Sequence, residues 1–472
     1  MNPVQDARSP RGTALVIGGS IAGCATAAAL REHYERVIIV DRDELPTERK
    51  ERKGAPHAYQ FHALTSGGRQ AFEDLLPGLT ERALAGGVPG HDPGRTRYCS
   101  KAGFLYPLET DLLVLLSSRI NLEAILRGLA REVSGIEMLE RTTATGLRIE
   151  DGAVTGVEVA DITSGTTRTI DADFVVDASG RSSVASDWLE AAGYTRPVEQ
   201  VVNAKWGYVT TYVRPGPNWS PDYKVLYFSP LLKGDGPKAT RGGGMWSQED
   251  GLWVVTAQGC AQDYPPADEA GFREYLNSFG RPEFQELLSE GEIVRPPVAW
   301  RNTTNLLRDY ASLPVRPERF VVIGDATAAF NPVYGQGMSA AALAARLLRD
   351  ELREAFRGGD DLAGFAERFQ KQLDATVIQG CWNLSAGSDF NVPGVEVNGL
   401  PYGAEQTQEQ LFVNRVVSLA TEDADVARKL VETIQMIRGL EWLADEDLRA
   451  KVLADWDRLG ELVRIDEIEG AA

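Results

Sequence analysis

Cysteine and histidine are scarce in this chain, with four of each in 472 residues. Cys24, Cys99, Cys260 and Cys381 show no CxxC spacing, which argues against a zinc site or a disulfide framework and points to a reducing, cytoplasmic setting. No run reaches the roughly 18 consecutive apolar residues of a membrane span. The opening "MNPVQDARSPRGT" lacks the apolar core of a signal peptide. Basic residues are also in deficit. Lys and Arg number 49 against 68 Asp and Glu, a formal charge of -19 that would repel nucleic acid and anionic lipid at long range, so neither is an expected partner. A G-x-S-x-G elbow, internal repeats and low-complexity tracts are absent, which leaves no support for a serine hydrolase or a solenoid.

What the chain does have is an average globular composition, 43% hydrophobic and 25% charged, at a length that suggests two or three lobes. "ALVIGGSIAGCATAAAL", residues 14–30, reads as a buried strand, a glycine turn and a helix of small residues, and "RVIIVDRD" as a second buried strand. Together they form a βαβ unit. Its glycine template runs Gly18, Gly19, Ser20, Ile21, Ala22, Gly23, with serine at the central position, where its hydroxyl could reach a phosphate oxygen. The helix N-terminal amides favour a diphosphate there. Asp41, ending the second strand, suits the hydroxyls of a ribose and so favours FAD or NAD over NADP.

Far along the chain, "VVIGDATAAFNPVYGQGMSAA" repeats the strand, glycine turn and small-residue helix, with Asp325 at the strand end and Pro332, Gly335, Gly337 and Met338 at the helix mouth. Such a mouth stabilises negative charge on a reduced flavin. Between these segments, "TATGLRIEDGAVTGVEVADI" carries an Asp-Gly hairpin turn, and residues 200–300 hold aromatic, β-branched strands of an antiparallel layer.

These motifs, with "RKGAPHAYQFHAL", "LLPGL", "DASGRSS" and "WNLSAGSDF" (382–390), resemble the class A type flavoprotein monooxygenases, the fold of para-hydroxybenzoate hydroxylase. Within that group the chain is most similar to the actinobacterial branch of polyether epoxidases and related polyketide tailoring enzymes. The resemblance implies an α/β protein in three parts. A Rossmann-like FAD-binding domain of the glutathione-reductase type comes from residues 1–75, 110–185 and 315–355, an antiparallel sheet domain for substrate from 76–109 and 186–314, and a helical C-terminal region from 356–472.

FAD is the implied cofactor. Gly18, Ser20, Ala22 and Gly23 would face its diphosphate, Asp41 the ribose and Arg42 the adenine. Arg119 would approach from its helix, with Lys53, Gln60 and His62 near the flavin or pyrophosphate. Gly324 and Asp325 would meet the ribityl chain, and Pro332, Gly335, Gly337 and Met338 the isoalloxazine. His57 and His62 also invite a general-base reading, against that of loop residues hydrogen-bonding the cofactor.

Trp206, Tyr208, Trp300 and Arg301 are the candidates for the substrate wall, in a section short of acids that suits an apolar substrate. "AWRNTTN" lacks the W-x-W-x-I-P signature of tryptophan halogenases. The D-G-x-x-S-x-x-R element that serves FAD and nicotinamide in many relatives is degraded, with Ser179 at the acid's position and Ala185 or Ser186 where arginine would fall. The electron source is therefore NAD(P)H or a separate flavin reductase.

The expected reaction is transfer of one oxygen from a flavin C4a-hydroperoxide to an alkene, ahead of aromatic hydroxylation. The alternative is a non-redox cyclisation with FAD as a structural element, and a flavin-binding scaffold is a third reading. The acidic, amphipathic C-terminal segment is expected to pack on the body of a monomer or homodimer.

Overall fold

The computed structural model describes residues 11–230, 232, 237–278, 280–359, 362–400 and 407–461; the outer ends of the first and third expected regions lie outside the described residues. The first strand, Arg11–Ile17, is buried from Ala14 onward because it runs through the centre of a five-stranded parallel sheet. In spatial order the strands are Phe320–Val322, Phe174–Asp177, Arg11–Ile17, Tyr34–Val40 and Ile136–Leu139. The register sets Ala14 beside both Phe174 and Val37. On either side of the central strand the chain therefore progresses in opposite directions across the sheet. This is a topological switch point, and the crevice beyond the carboxyl ends of such strands is where ligands bind.

Helix Ile21–Arg31 follows at once, and its alanines let it lie close to helix Gly337–Arg357; Ala25, Ala28 and Ala29 share one core cluster with Ala342 and Ala345. Leu122, Leu126 and Leu129 of helix Arg119–Glu132 complete that layer. The opposite core reaches beyond the expected boundary at 356. Phe365, Phe369, Trp382 and Phe390 pack with Val16, Val37, Phe174 and Val321, and the Gln370 carboxamide accepts a hydrogen bond from the Val322 amide, 3.0 Å. Strand Glu396–Asn398 then joins a four-stranded sheet beside Glu199–Asn203, so the C-terminal region is helical but not wholly so.

The hairpin at Asp151 and Gly152 has both residues at positive φ, the geometry its Asp-Gly pair favours. The substrate-side layer is a seven-stranded sheet running from Glu292–Trp300 to Gly103–Phe104. It is antiparallel except where Val225–Phe228 runs parallel to Arg97–Ser100, a strand supplied by a distant segment. Side chains alternate across it. Val209, Val213, Leu226, Phe228, Met245 and Val255 pack on Phe272, Leu276, Phe284 and Leu287 of two covering helices. Tyr212 and Trp246 occupy the other face with Val225 and Val254, and meet Phe61 and Ala63 of the loop crossing from the first lobe.

Phe369 is fully buried between the parallel sheet and its C-terminal helices. Phe369→Ala is expected to remove about 3–5 kcal/mol of stability, read as a lowered thermal midpoint. An unchanged midpoint would show that residues beyond 356 contribute nothing to this core.

Candidate functional site

At the end of the central strand Gly18 adopts φ +105°, and a side chain there would meet the Ala178 carbonyl at 2.5 Å. Gly23 lets the helix seat on the turn, since a Cβ would lie 1.8 Å from the Gly18 oxygen. The Asp41 carboxylate braces this turn, accepting from the Gly19 amide at 2.6 Å and the Asp43 amide at 2.8 Å. Ser20 stands at the helix N-cap but leaves its amides uncapped, because its hydroxyl donates to Glu123 (2.8 Å) and accepts from Arg119 (3.0 Å).

Glu123 is the anchor of this region. Arg119, Glu123 and Arg127 recur at four-residue spacing on one face of helix Arg119–Glu132, bringing both guanidiniums onto the carboxylate between them. Arg52 adds a third from the connecting loop at 3.0 Å, shared with Asp43 at 3.2 Å. Burial pushes the Glu123 carboxyl up, but Arg119, Arg52 and Arg127 outweigh it and hold the group well below the usual carboxylate range. On the wall of the adjoining cavity Arg42, Arg52, Lys53, Arg119 and Arg181 outnumber Asp41 and Asp325, an arrangement suited to a diphosphate. Glu123, Arg52 and Arg181 were missed in the sequence reading; the R-x-x-x-E-x-x-x-R spacing of "RINLEAILR" was the available signal for the first of them.

The second mouth opens at helix Gly337–Arg357, which has no side-chain cap. The turn Pro332–Tyr334 and Gly335, at φ +68°, lead into it. The Gln336 side chain is buried, and its Oε1 has no hydrogen-bond partner among the described residues, which leaves it free to accept from a ligand. Asp325 makes no hydrogen bond among the described residues. Burial raises its pKa, opposed by Arg181, Arg119 and Arg308.

One cavity of about 840 Å³ joins the two mouths. Gly18, Ser20, Ala22, Asp41, Arg42, Lys53, His62, Arg119, Asp325, Pro332, Gly335, Gly337, Met338 and Trp300 line it, together with Arg52, His57, Phe61, Arg181, Trp188 and Phe330. Six candidates stand outside that wall. Gly23 is consumed in helix packing, and Gly324 sits behind the wall against Ala22 and Ala341. The Gln60 amide donates to the Val298 carbonyl, 3.1 Å. Tyr208 is buried within the sheet, paired with Trp300. Trp206 packs with Cys260 and Val392, its indole N–H donating to Asp389 at 2.7 Å. Arg301 is exposed, with its guanidinium over the Tyr264 ring.

His57 packs 5.5 Å, centroid to centroid, from both His62 and Trp300. His62 Nδ1 faces the Gln60 carbonyl at 2.8 Å; a carbonyl only accepts, so this nitrogen carries the proton. Burial, with Arg119 adding to it, pushes His57 down to about 4 and His62 well below its ordinary value. Both rings are neutral at pH 7.

Two uncapped helix mouths, a cationic cluster at one and an orphaned acceptor at the other, on a single elongated cavity, fit a ligand with a diphosphate and a hydrogen-bonding ring. Residues 11–364 match the family described as FAD binding domain. The chain belongs to that family. It is 30% identical over 406 residues to protein Rv3254 of Mycobacterium tuberculosis, covering 83% of each chain. It shares its fold with p-nitrophenol 4-monooxygenase PnpA from Pseudomonas putida, at TM-score 0.63, 16% identity and coverage of 92% of this chain and 100% of that one. Diels-Alderase PyrE3 of the pyrroindomycin pathway is similar at TM-score 0.58 and 17% identity, over 90% and 81% of the two chains. The cofactor of this FAD-binding chain is accordingly FAD. Among the described residues no His, Cys, Asp and Glu cluster could hold a metal, and no helix is long and apolar enough to cross a membrane.

Glu123→Gln leaves three buried guanidiniums without their anion and is expected to cost about 3 kcal/mol, read as a lower thermal midpoint. A carboxylate depressed in the folded state contributes stability that is complete above its unfolded pKa and drains as pH falls below it. The gap between wild type and variant should therefore narrow on acidification; a constant gap would assign Glu123 no linked charge.

Proposed function

We propose that this chain is an FAD-dependent monooxygenase of natural-product biosynthesis, placing one oxygen atom from O₂ into an apolar small molecule. The observation that carries the reading is the division of the cavity. Charge gathers at the Gly18 end, while Phe61, Trp300, Phe330 and Met338 wall the other end beside imidazoles held neutral. When bound and reduced, FAD supplies the two electrons that let O₂ give one atom to substrate and the other to water.

The chain's own residues do the rest. Gly18, Ser20, Arg119 and the first amides of helix Ile21–Arg31 would hold the diphosphate, and Arg42 and Trp188 border the adenine side. The open amides and dipole of helix Gly337–Arg357 would favour negative charge on the ring, and the Gln336 oxygen would be available to accept from it. Phe61, Phe330 and Trp300 exclude water from the reacting atoms. Epoxidation of an alkene is preferred to aromatic hydroxylation on the resemblance to the polyether epoxidase-like branch, and the electrons come from NAD(P)H or a separate flavin reductase.

A second reading, non-redox cyclisation of a polyketide with FAD as a structural element, is favoured by the loop after Phe174–Asp177. The Ser179 amide and Ser183 hydroxyl both donate to Asp177, at 2.9 and 2.5 Å, so these two serines are engaged within the loop at the degraded D-G-x-x-S-x-x-R element. PyrE3, which shares this fold, is a Diels-Alderase.

The test reduces the holoprotein anaerobically, admits ¹⁸O₂ with a panel of polyenes and electron-rich phenols, and weighs the products. One ¹⁸O per product molecule is expected. Conversion by oxidised holoprotein under nitrogen, without reductant, would establish the cyclase instead.

A further inference from the structure

The Asp389 carboxylate, at the end of helix Gln379–Asp389, is completely buried, and the flavin chemistry above makes no use of it. Oδ1 accepts from the Trp206 indole (2.7 Å), the Tyr334 hydroxyl (2.8 Å) and the Asn331 amide (3.3 Å). Oδ2 accepts from Asn305 (2.7 Å) and again from Asn331 (3.0 Å). One turn earlier, Ser385 donates to the Asn305 carbonyl oxygen, which also accepts from the Asn331 amide at 2.8 Å. Four stretches remote in sequence thus meet on one carboxylate.

Two of the donors, Asn331 and Tyr334, flank Pro332 and Val333 in the turn that delivers Gly335, Gln336 and Gly337 to the cavity. Asn331 also caps that turn, its side chain accepting from the Val333 amide at 3.2 Å. All these donors to Asp389 are neutral, so among the described residues the charge is held by dipoles. That is a costly arrangement for a group serving only to fill the core.

We propose that Asp389 is a positioning residue for the flavin ring, fixing the 331–337 turn so that the mouth of helix Gly337–Arg357 and Gln336 are presented to the cofactor in one geometry. Deprotonated, its two oxygens satisfy all the donors; protonated, one oxygen becomes a donor and the turn loses an anchor. Burial lifts this carboxyl to about 6, its donors opposing the rise. The titratable groups facing it are Tyr334, kept a phenol by burial and by Asp389 itself, and Cys260, whose thiol burial pushes to about 12; Tyr227 and Tyr98 lie beyond Tyr334.

Asp389→Asn keeps the shape and removes the charge. Titrating the apoprotein with FAD, followed by flavin fluorescence, should give a Kd about ten-fold above wild type, with a shifted visible absorption envelope for the bound flavin. Wild-type affinity should fall as pH drops through about 6, and the variant should lack that step. Tyr334→Phe cuts one strut between carboxylate and turn, and should raise the Kd about three-fold with a similar spectral shift. A merely structural staple would lower the thermal midpoint and leave these readouts alone. The proposal is overturned if folded D389N keeps the wild-type Kd, spectrum and pH profile, or, where D389N does not fold, if Y334F keeps the wild-type Kd and spectrum.

Discussion

Three guanidiniums gathered on one buried carboxylate are the constraint around which this molecule is organised. The cost of bringing Arg52, Arg119 and Arg127 out of water is offset because Glu123 accepts from all of them and Asp43 also pairs with Arg52, while the positive mouth of helix Ile21–Arg31 alongside adds to the site's pull on a ligand of opposite charge. The helix at 119–132, the connecting loop and the glycine turn are held in register by this cluster, with Ser20 as the hydroxyl link between turn and helix. A chain of strongly negative net charge thereby keeps a local cluster of the other sign, suited to an anionic ligand.

The two ends of the cavity solve different problems. At the Gly18 end, charge meets charge, and the turn behind it tolerates little change, as the 1.8 Å approach of a Cβ at Gly23 to the Gly18 oxygen illustrates. At the ring, titratable groups are present but silenced, with His57 and His62 driven neutral by burial and Asp389 turned away from the cavity into its own shell of donors. Reactive oxygen chemistry is compatible with such surroundings because they offer few protons to intercept it.

Much of the first lobe was legible in the sequence. Short buried strands, glycine turns and alanine helices are local patterns, and Gly18 and Asp325 can be read from the segments that contain them. The sheet lobe was readable as strands but not as faces. Trp206 and Tyr208 are aromatic residues on candidate strands, yet which side of a sheet they present depends on partners remote in sequence. Trp206 proved to serve Asp389, and Tyr208 the interior of the sheet. Asp41 illustrates the opposite case: its place at a strand end was visible, whereas its bonds to Gly19 and Asp43 came only from the folded turn. The extent of the core was also hidden, since nothing local in "FAERFQKQL" tells that Phe365 and Phe369 lie against residues near the N-terminus.

The central strand's two flanks arrive at very different times during synthesis. Its partner Tyr34–Val40 leaves the ribosome almost at once, but Phe174–Asp177, Phe320–Val322 and the helices up to residue 390 emerge much later. The nascent chain must therefore carry a half-walled nucleotide crevice, apolar edge uncovered, through most of translation. Flavin capture accordingly follows the synthesis of these late segments, and a cell short of the vitamin would hold fully translated chains without their cofactor rather than fragments.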